Sequence, residues 1–174
     1  MSEAVAGPMS TSGPLAYDAV ARVIAFFLPL ALLAGAFGSQ YLGGLYPCEM
    51  CWWQRYAHIA ALLFAAPAFH FAADSRTSRT LVLLALLAIA VSGLIGVYHA
   101  GVEAKIFEGF TQCTALSKAS STAELLKQIT QAPLVRCDEV QFRFLGISMA
   151  GWNAILSLGG AGLILLLTLK ARRA

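Results

Sequence analysis

The sequence predicts an all-α membrane protein, a four-transmembrane-helix bundle with both termini cytoplasmic and two exported cysteine-bearing loops. Apolar residues make up 59% of the 174-residue chain and charged residues 12%, about half the usual quarter. The charges are confined to short intervals between four long uncharged runs. A helix rising about 1.5 Å per residue needs ~20 residues to cross a hydrocarbon core of ~30 Å. A soluble helical core is the competing reading, but too few polar residues remain to coat four such helices. The same composition excludes a disordered chain, a collagen or a coiled coil. A net charge of +3 and the lack of a basic stripe interleaved with aromatics give no reason to expect nucleic acid.

Residues 1–22 are expected to form a mobile cytoplasmic segment. The first 20 residues are rich in Ser, Gly and Pro, carry Glu3 and Asp18, and hold no hydrophobic stretch of a cleavable signal. The run Val23–Pro47 has 25 residues and predicts a helix over about 23–43, with Arg22 at its entrance and a kink at Pro29. The run Tyr56–Ala73 has 18 residues; Trp52 and Trp53 extend it into the interface, so the helix is placed at about 52–73. Thr80–Val102, with 23 residues, predicts a helix over 80–99, and Phe144–Leu169, with 26, one over 148–169. The redox domain spans 23–169, its exported loops are 44–51 and 100–147, and 170–174 is a basic tail. Ser92, Gly96, Gly159, Gly160 and Gly162 suggest close helix approach. Arg76 and Arg79 in the short 74–79 connection, and Lys170, Arg172 and Arg173 at the end, fall on one side. That side should be cytoplasmic.

All four cysteines lie in the two exported segments. Cys48 and Cys51 form a Cys-x-x-Cys, and Cys113 and Cys137 sit in the long loop. An even number, all outside the bilayer, reads as disulfide chemistry in an oxidising compartment. Three readings compete. The cysteines could be two structural staples. They could ligate a metal, but Cys113 and Cys137 lack zinc-ribbon spacing, so no metal is expected. They could be redox-active, since a Cys-x-x-Cys closes a very small ring and is usually reducible. Cys51 stands where the second helix begins, and the partial positive charge there favours a thiolate. Arg55, one turn on, lies on the same helix face. It either contacts headgroups or donates to an acceptor beside Cys51. Glu49, between the cysteines, opposes thiolate formation. His99 ends the third helix, either merely bonded at the interface or able to donate a hydrogen bond or a proton. His58 and His70 are read as packing or interfacial residues.

The stretch Pro47-Cys48-Glu49-Met50-Cys51-Trp52-Trp53-Gln54-Arg55 resembles the first exported loop of the disulfide bond formation protein B (DsbB) family. These are quinone-linked thiol oxidases of the bacterial inner membrane. The resemblance continues in Tyr98-His99-Ala100-Gly101-Val102-Glu103, in Cys113-Thr114, in Cys137-Asp138-Glu139, and from Phe144 to Asn153. It covers roughly 23–169. The chain departs from it after Arg55, where Tyr56-Ala57-His58 lacks the usual Pro, in 104–110, and at Gln141-Phe142. None of these removes a redox residue.

The resemblance implies a relay known for the family as what keeps the periplasm oxidising. A reduced periplasmic thioredoxin-fold oxidase, DsbA-like, would attack Cys113. Cys137 would be released and attack Cys48. Cys51 would be left as a thiolate beside a membrane quinone, ubiquinone being the expected one, with Arg55 and His99 as the quinone-binding residues. Ser121-Thr122-Ala123-Glu124 matches a capping box. A short surface helix after it, ending before Pro133, would let Cys137 swing towards Cys48. A membrane scaffold with two structural disulfides is the alternative, and a reductase running electrons outward is a third.

Overall fold

The computed structural model describes residues 13–109, 121–123, 126 and 135–173. Cys113 and most of the expected loop helix, including Glu124 of its capping box, lie outside the described residues. Among the described residues, four long helices and one short hairpin carry the fold. Helix α1 spans Pro14–Tyr41, α2 Glu49–Ala65, α3 Arg76–Glu103 and α4 Met149–Arg173; strands β1 (Arg143–Phe144) and β2 (Ile147–Ser148) pair antiparallel ahead of α4.

Helix α1 begins nine residues before the Val23 expected, so part of the segment read as mobile is helical. Pro14 at its first turn is pre-set for helix. Asp18 is buried and accepts from Arg79 on α3 at 2.6 and 3.0 Å. That pair needs the helix to extend this far. Helix α2 starts at Glu49, not at 52, because Cys48 is its N-cap: the Cys48 side chain accepts from the Cys51 backbone N–H. It ends at Ala65, not at 73, before Pro67 opens a four-residue 3-10 turn, Pro67–His70. Arg22 satisfies the freed backbone by donating to the carbonyls of Ala68 (3.2 Å) and Phe71 (2.9 Å) and lies over the Phe69 ring. Ser75 caps α3 by accepting from Ser78 N–H.

The core is built from small residues. Ala21, Ala25, Ala61, Ala65, Ala85 and Ala161 are buried around Val82, Ile89 and Ile164. Large apolar side chains such as Phe27, Leu63, Leu87, Leu94 and Leu166 face outward. Water-soluble bundles arrange these sizes the other way round; small residues inside and large ones outside suit a bundle bathed in lipid. Among the described residues, three helices, α1, α3 and α4, are long and apolar enough to cross a membrane. Helix α3 is central and packs on both α2 and α4. A Cβ at Gly96 would lie 3.0 Å from Ala150 O and from Ala154 N, so a larger residue here would press α3 away from α4.

At one end of the bundle the two cysteine-bearing segments meet. Gln141 donates to Tyr46 O at 2.7 Å. Lys105, just beyond α3, pairs with Asp138, which Arg136 also holds. The hairpin turns at Leu145 and at Gly146, where φ is +80°, and Trp152 Nε1 donates to Phe144 O.

Candidate redox site

Capping α2 with a cysteine sets the site. The Cys48 and Cys51 sulfurs stand 3.2 Å apart. The Gln141–Tyr46 and Lys105–Asp138 contacts bring Cys137, fully buried, against Cys48, with Met50 and Val102 closing the pocket. Cys137 shares a hydrogen bond with Cys48; that bond, the one shared with Cys51, and burial all push the Cys48 thiol well above an ordinary cysteine. A thiol held protonated in this way is a weak leaving group, so the pair is asymmetric.

His99 is 2% exposed and stands over the pair from the end of α3, with Nε2 3.5 Å from Cys48 Sγ and 3.8 Å from Glu103 Oε1. Its tautomer follows from its neighbour. Gln54 Nε2 donates to Met50 O (3.3 Å) and to His99 Nδ1 (2.9 Å), while Gln54 Oε1 accepts from Asn153 Nδ2 at 2.7 Å. Nδ1 is therefore an acceptor, and the proton sits on Nε2, facing the sulfur.

The polar chain continues into the bundle. Asn153 Oδ1 lies 2.9 Å from His58 Nε2, which also meets Ser92 Oγ at 2.9 Å. Ser92 Oγ gives its own proton to Gln54 O, and Ser157 Oγ gives its to Asn153 Oδ1. Every neighbour of His58 Nε2 is thus an acceptor, which puts the proton there and leaves Nδ1 buried with a lone pair and no partner among the described residues.

Arg55 is 5% exposed. It donates to the Gln40 side chain and to Ala36 O on α1, and its guanidinium lies over the rings of Phe37 and Trp52. It thus bolts α1 to α2, next to the cysteines. A cavity of about 610 Å³ runs from these groups along α1; Cys48, Cys51, Arg55, His58 and His99 line it together with Ala31, Leu32 and Leu33. Its size falls in the ~300–1,000 Å³ of small-molecule pockets.

Of the sequence-predicted site residues, Cys48, Cys51, Cys137, Arg55 and His99 converge here, and Cys113 lies outside the described residues. Reasoning from sequence missed Gln54, Asn153, Ser92 and Ser157, and His58 is a network member and not a packing residue. A signal was present: amides and hydroxyls within apolar runs are costly in a bilayer unless they bond one another.

Fold and site together define a membrane helical bundle built around a reactive dithiol. The family model for "Disulfide bond formation protein DsbB" matches residues 18–167. Disulfide bond formation protein B of Xanthomonas oryzae pv. oryzae (strain MAFF 311018) is 30% identical over 92% of this chain and 96% of its own length. The proteins of the same name from Xylella fastidiosa (strain 9a5c) and Marinobacter nauticus (strain ATCC 700491 / DSM 11845 / VT8) are each 28% identical. They cover 85% and 76% of this chain, and 88% and 80% of their own lengths. No solved structure matches. The chain belongs to the DsbB family of disulfide bond formation proteins, which makes it a transmembrane thiol oxidoreductase.

Proposed function

We propose that this protein reoxidises a DsbA-like periplasmic thiol oxidase and passes the electrons to a membrane quinone. What carries the reading is one convergence: Cys48, Cys51, His99 and Arg55 line a cavity whose flank on α1 is apolar, and Cys137 packs against Cys48. That donor set fits a quinone. An apolar slot suits the ring and tail, and a guanidinium and an imidazole N–H suit the carbonyl oxygens. The unpartnered His58 Nδ1 suits a hydroxyl formed on reduction. A bound quinone would supply a two-electron, two-proton acceptor.

The chain's own residues do the rest. Cys113 takes the attack of the reduced partner, and Cys137 leaves it. Cys137 already lies against Cys48, so its attack on a Cys48–Cys51 disulfide needs little travel. Cys51 is then the leaving thiolate, held at the helix N-terminus. Arg55 stabilises negative charge beside it, in surroundings drier than bulk water. His99 Nε2–H offers a proton at the sulfur pair. All four helices cross the inner membrane, α2 using its 3-10 extension. The cysteine loops face the periplasm, and the ends bearing Arg22, Arg79 and Lys170 face the cytoplasm.

A trapping experiment tests the entry step. A DsbA-like protein left with one reactive cysteine should form a covalent adduct with the oxidised chain. Cys113→Ser should abolish it. An adduct that persists in Cys113→Ser would exclude Cys113 as the entry point.

A further inference from the structure

The reduced cysteine pair does not stand alone. Cys48 Sγ, Cys51 Sγ and His99 Nε2 all lie within 4.8 Å of one another. Next to His99, just outside that cluster, is a carboxylate that the electron relay does not use. Glu103 is one turn beyond His99, its side chain is only 10% exposed, and its Oε1 is 3.8 Å from His99 Nε2. Its Oε2 is buried and has no hydrogen-bond partner among the described residues. An uncompensated buried carboxylate oxygen is costly, and a cation removes the cost.

We propose that the reduced site binds one thiophilic divalent cation, of the Zn²⁺ or Cd²⁺ class, through Cys48, Cys51 and His99, with Glu103 swinging in from beside His99 as the fourth ligand. Two sulfurs, one imidazole nitrogen and one carboxylate oxygen are a tetrahedral donor set for such ions. Zn–S bonds of about 2.3 Å and Zn–N of about 2.0 Å at tetrahedral angles place the sulfurs about 3.8 Å apart and sulfur about 3.5 Å from nitrogen. The separations here, 3.2 Å between the sulfurs and 3.5 Å from Cys48 Sγ to His99 Nε2, are within a small side-chain adjustment of that. Spacing along the chain could not reveal the site, because His99 and Glu103 come from the far end of another helix.

The chemistry balances without electron transfer. The metal takes two thiolates, and two thiol protons leave. His99 must present its Nε2 lone pair, so its proton moves to Nδ1. Rotating the Gln54 amide by half a turn then offers Oε1 to that N–H, at the cost of the bond to Met50 O. Asn153 can rotate in turn, and the serine hydroxyls follow. A ligating histidine steadied by a hydrogen bond at its other nitrogen is the usual arrangement. The consequence is inhibition: a metal that holds both sulfurs as thiolates blocks their oxidation.

The test uses the full chain in detergent micelles, free of oxygen, titrated with Cd²⁺ while the thiolate-to-metal absorbance is followed. The reduced chain should bind one Cd²⁺ and the oxidised chain none, and this comparison needs no substitution. His99→Ala and Glu103→Gln should each weaken binding, by about tenfold or more. Chelator should restore thiol oxidation. Failure of the reduced chain to bind overturns the proposal, as does equal binding by the oxidised chain. Affinity unchanged in both variants does so too, since a bare dithiol would then be the binder. A chain that binds Cd²⁺ but reduces no quinone would keep this site and sink the relay.

Discussion

Gln54 Nε2 lies 2.9 Å from His99 Nδ1 and so decides which nitrogen of His99 carries the proton. The same amide accepts from Asn153, which ties the orientation of a residue over the cysteines to a helix on the other side of the bundle. Gln54→Leu removes the donor and leaves Asn153 Nδ2 short of one acceptor. We expect thiol oxidation to slow by about tenfold or more, by analogy with the loss of groups that orient a functional histidine. ¹⁵N shifts of His99 should report the mixed tautomer. A single Nε2–H tautomer in Gln54→Leu would show that other contacts orient the ring.

Asp18 and Arg79 join α1 to α3 at the end of the bundle away from the cysteines. Arg79→Ala removes the cation from a buried carboxylate whose Oδ1 already has no partner among the described residues. Breaking a fully buried pair costs about 3–5 kcal/mol. The Arg79 side chain is 26% exposed, so about 1–3 kcal/mol is expected after discounting for solvent screening. Thermal unfolding in detergent measures it, and oxidase activity below the transition should be nearly unchanged.

Gly96 faces backbone atoms of α4, and an added Cβ would also come within 3.1 Å of Asn153 Nδ2. Backbone cannot swing aside as a side chain can. Gly96→Val should therefore cost about 1–3 kcal/mol of stability through overpacking and also lower activity, because it moves Asn153. Gly35→Ala, where an added Cβ meets nothing within 4 Å, is the control and should not destabilise; helix propensity favours it by about 0.5–1 kcal/mol.

Hydrogen bonds from Arg136 and then Lys105 hold the Asp138 carboxyl well below the usual carboxylate range. A depressed carboxylate stabilises the docked form above its unpaired value, near ~3.9, and the contribution is lost as pH falls through the lower docked value. Docking of the Cys137 segment should therefore be level from about pH 8 to 5 and weaken only below about 4. Hydrogen exchange over residues 135–141, corrected for intrinsic rates, reads this directly. Asp138→Asn should show at pH 7 the exchange that the native chain shows only in acid.

The hydropathy runs identified all four helices, because length and lack of charge are written locally. Their ends were not written the same way. The start of α1 depends on Asp18 meeting Arg79, and the start of α2 on a cysteine acting as N-cap, both matters of tertiary contact. The hairpin before α4 was too short for its alternation to register. Cys48, Cys51 and Arg55 were legible because they follow one another at single-turn spacing on one helix face. Gln54, Asn153, Ser92 and His58 were not, since their meaning comes from facing one another across three helices.

The relay is tested most directly by following quinone absorbance in stopped flow. The purified chain is mixed with a reduced DsbA-like protein and a soluble ubiquinone analogue, beside its Cys51→Ser variant. Quinone loss that requires both the dithiol partner and Cys51 is the predicted result. No quinone loss, with the cysteines still paired, would contradict it and leave a membrane scaffold held by structural disulfides.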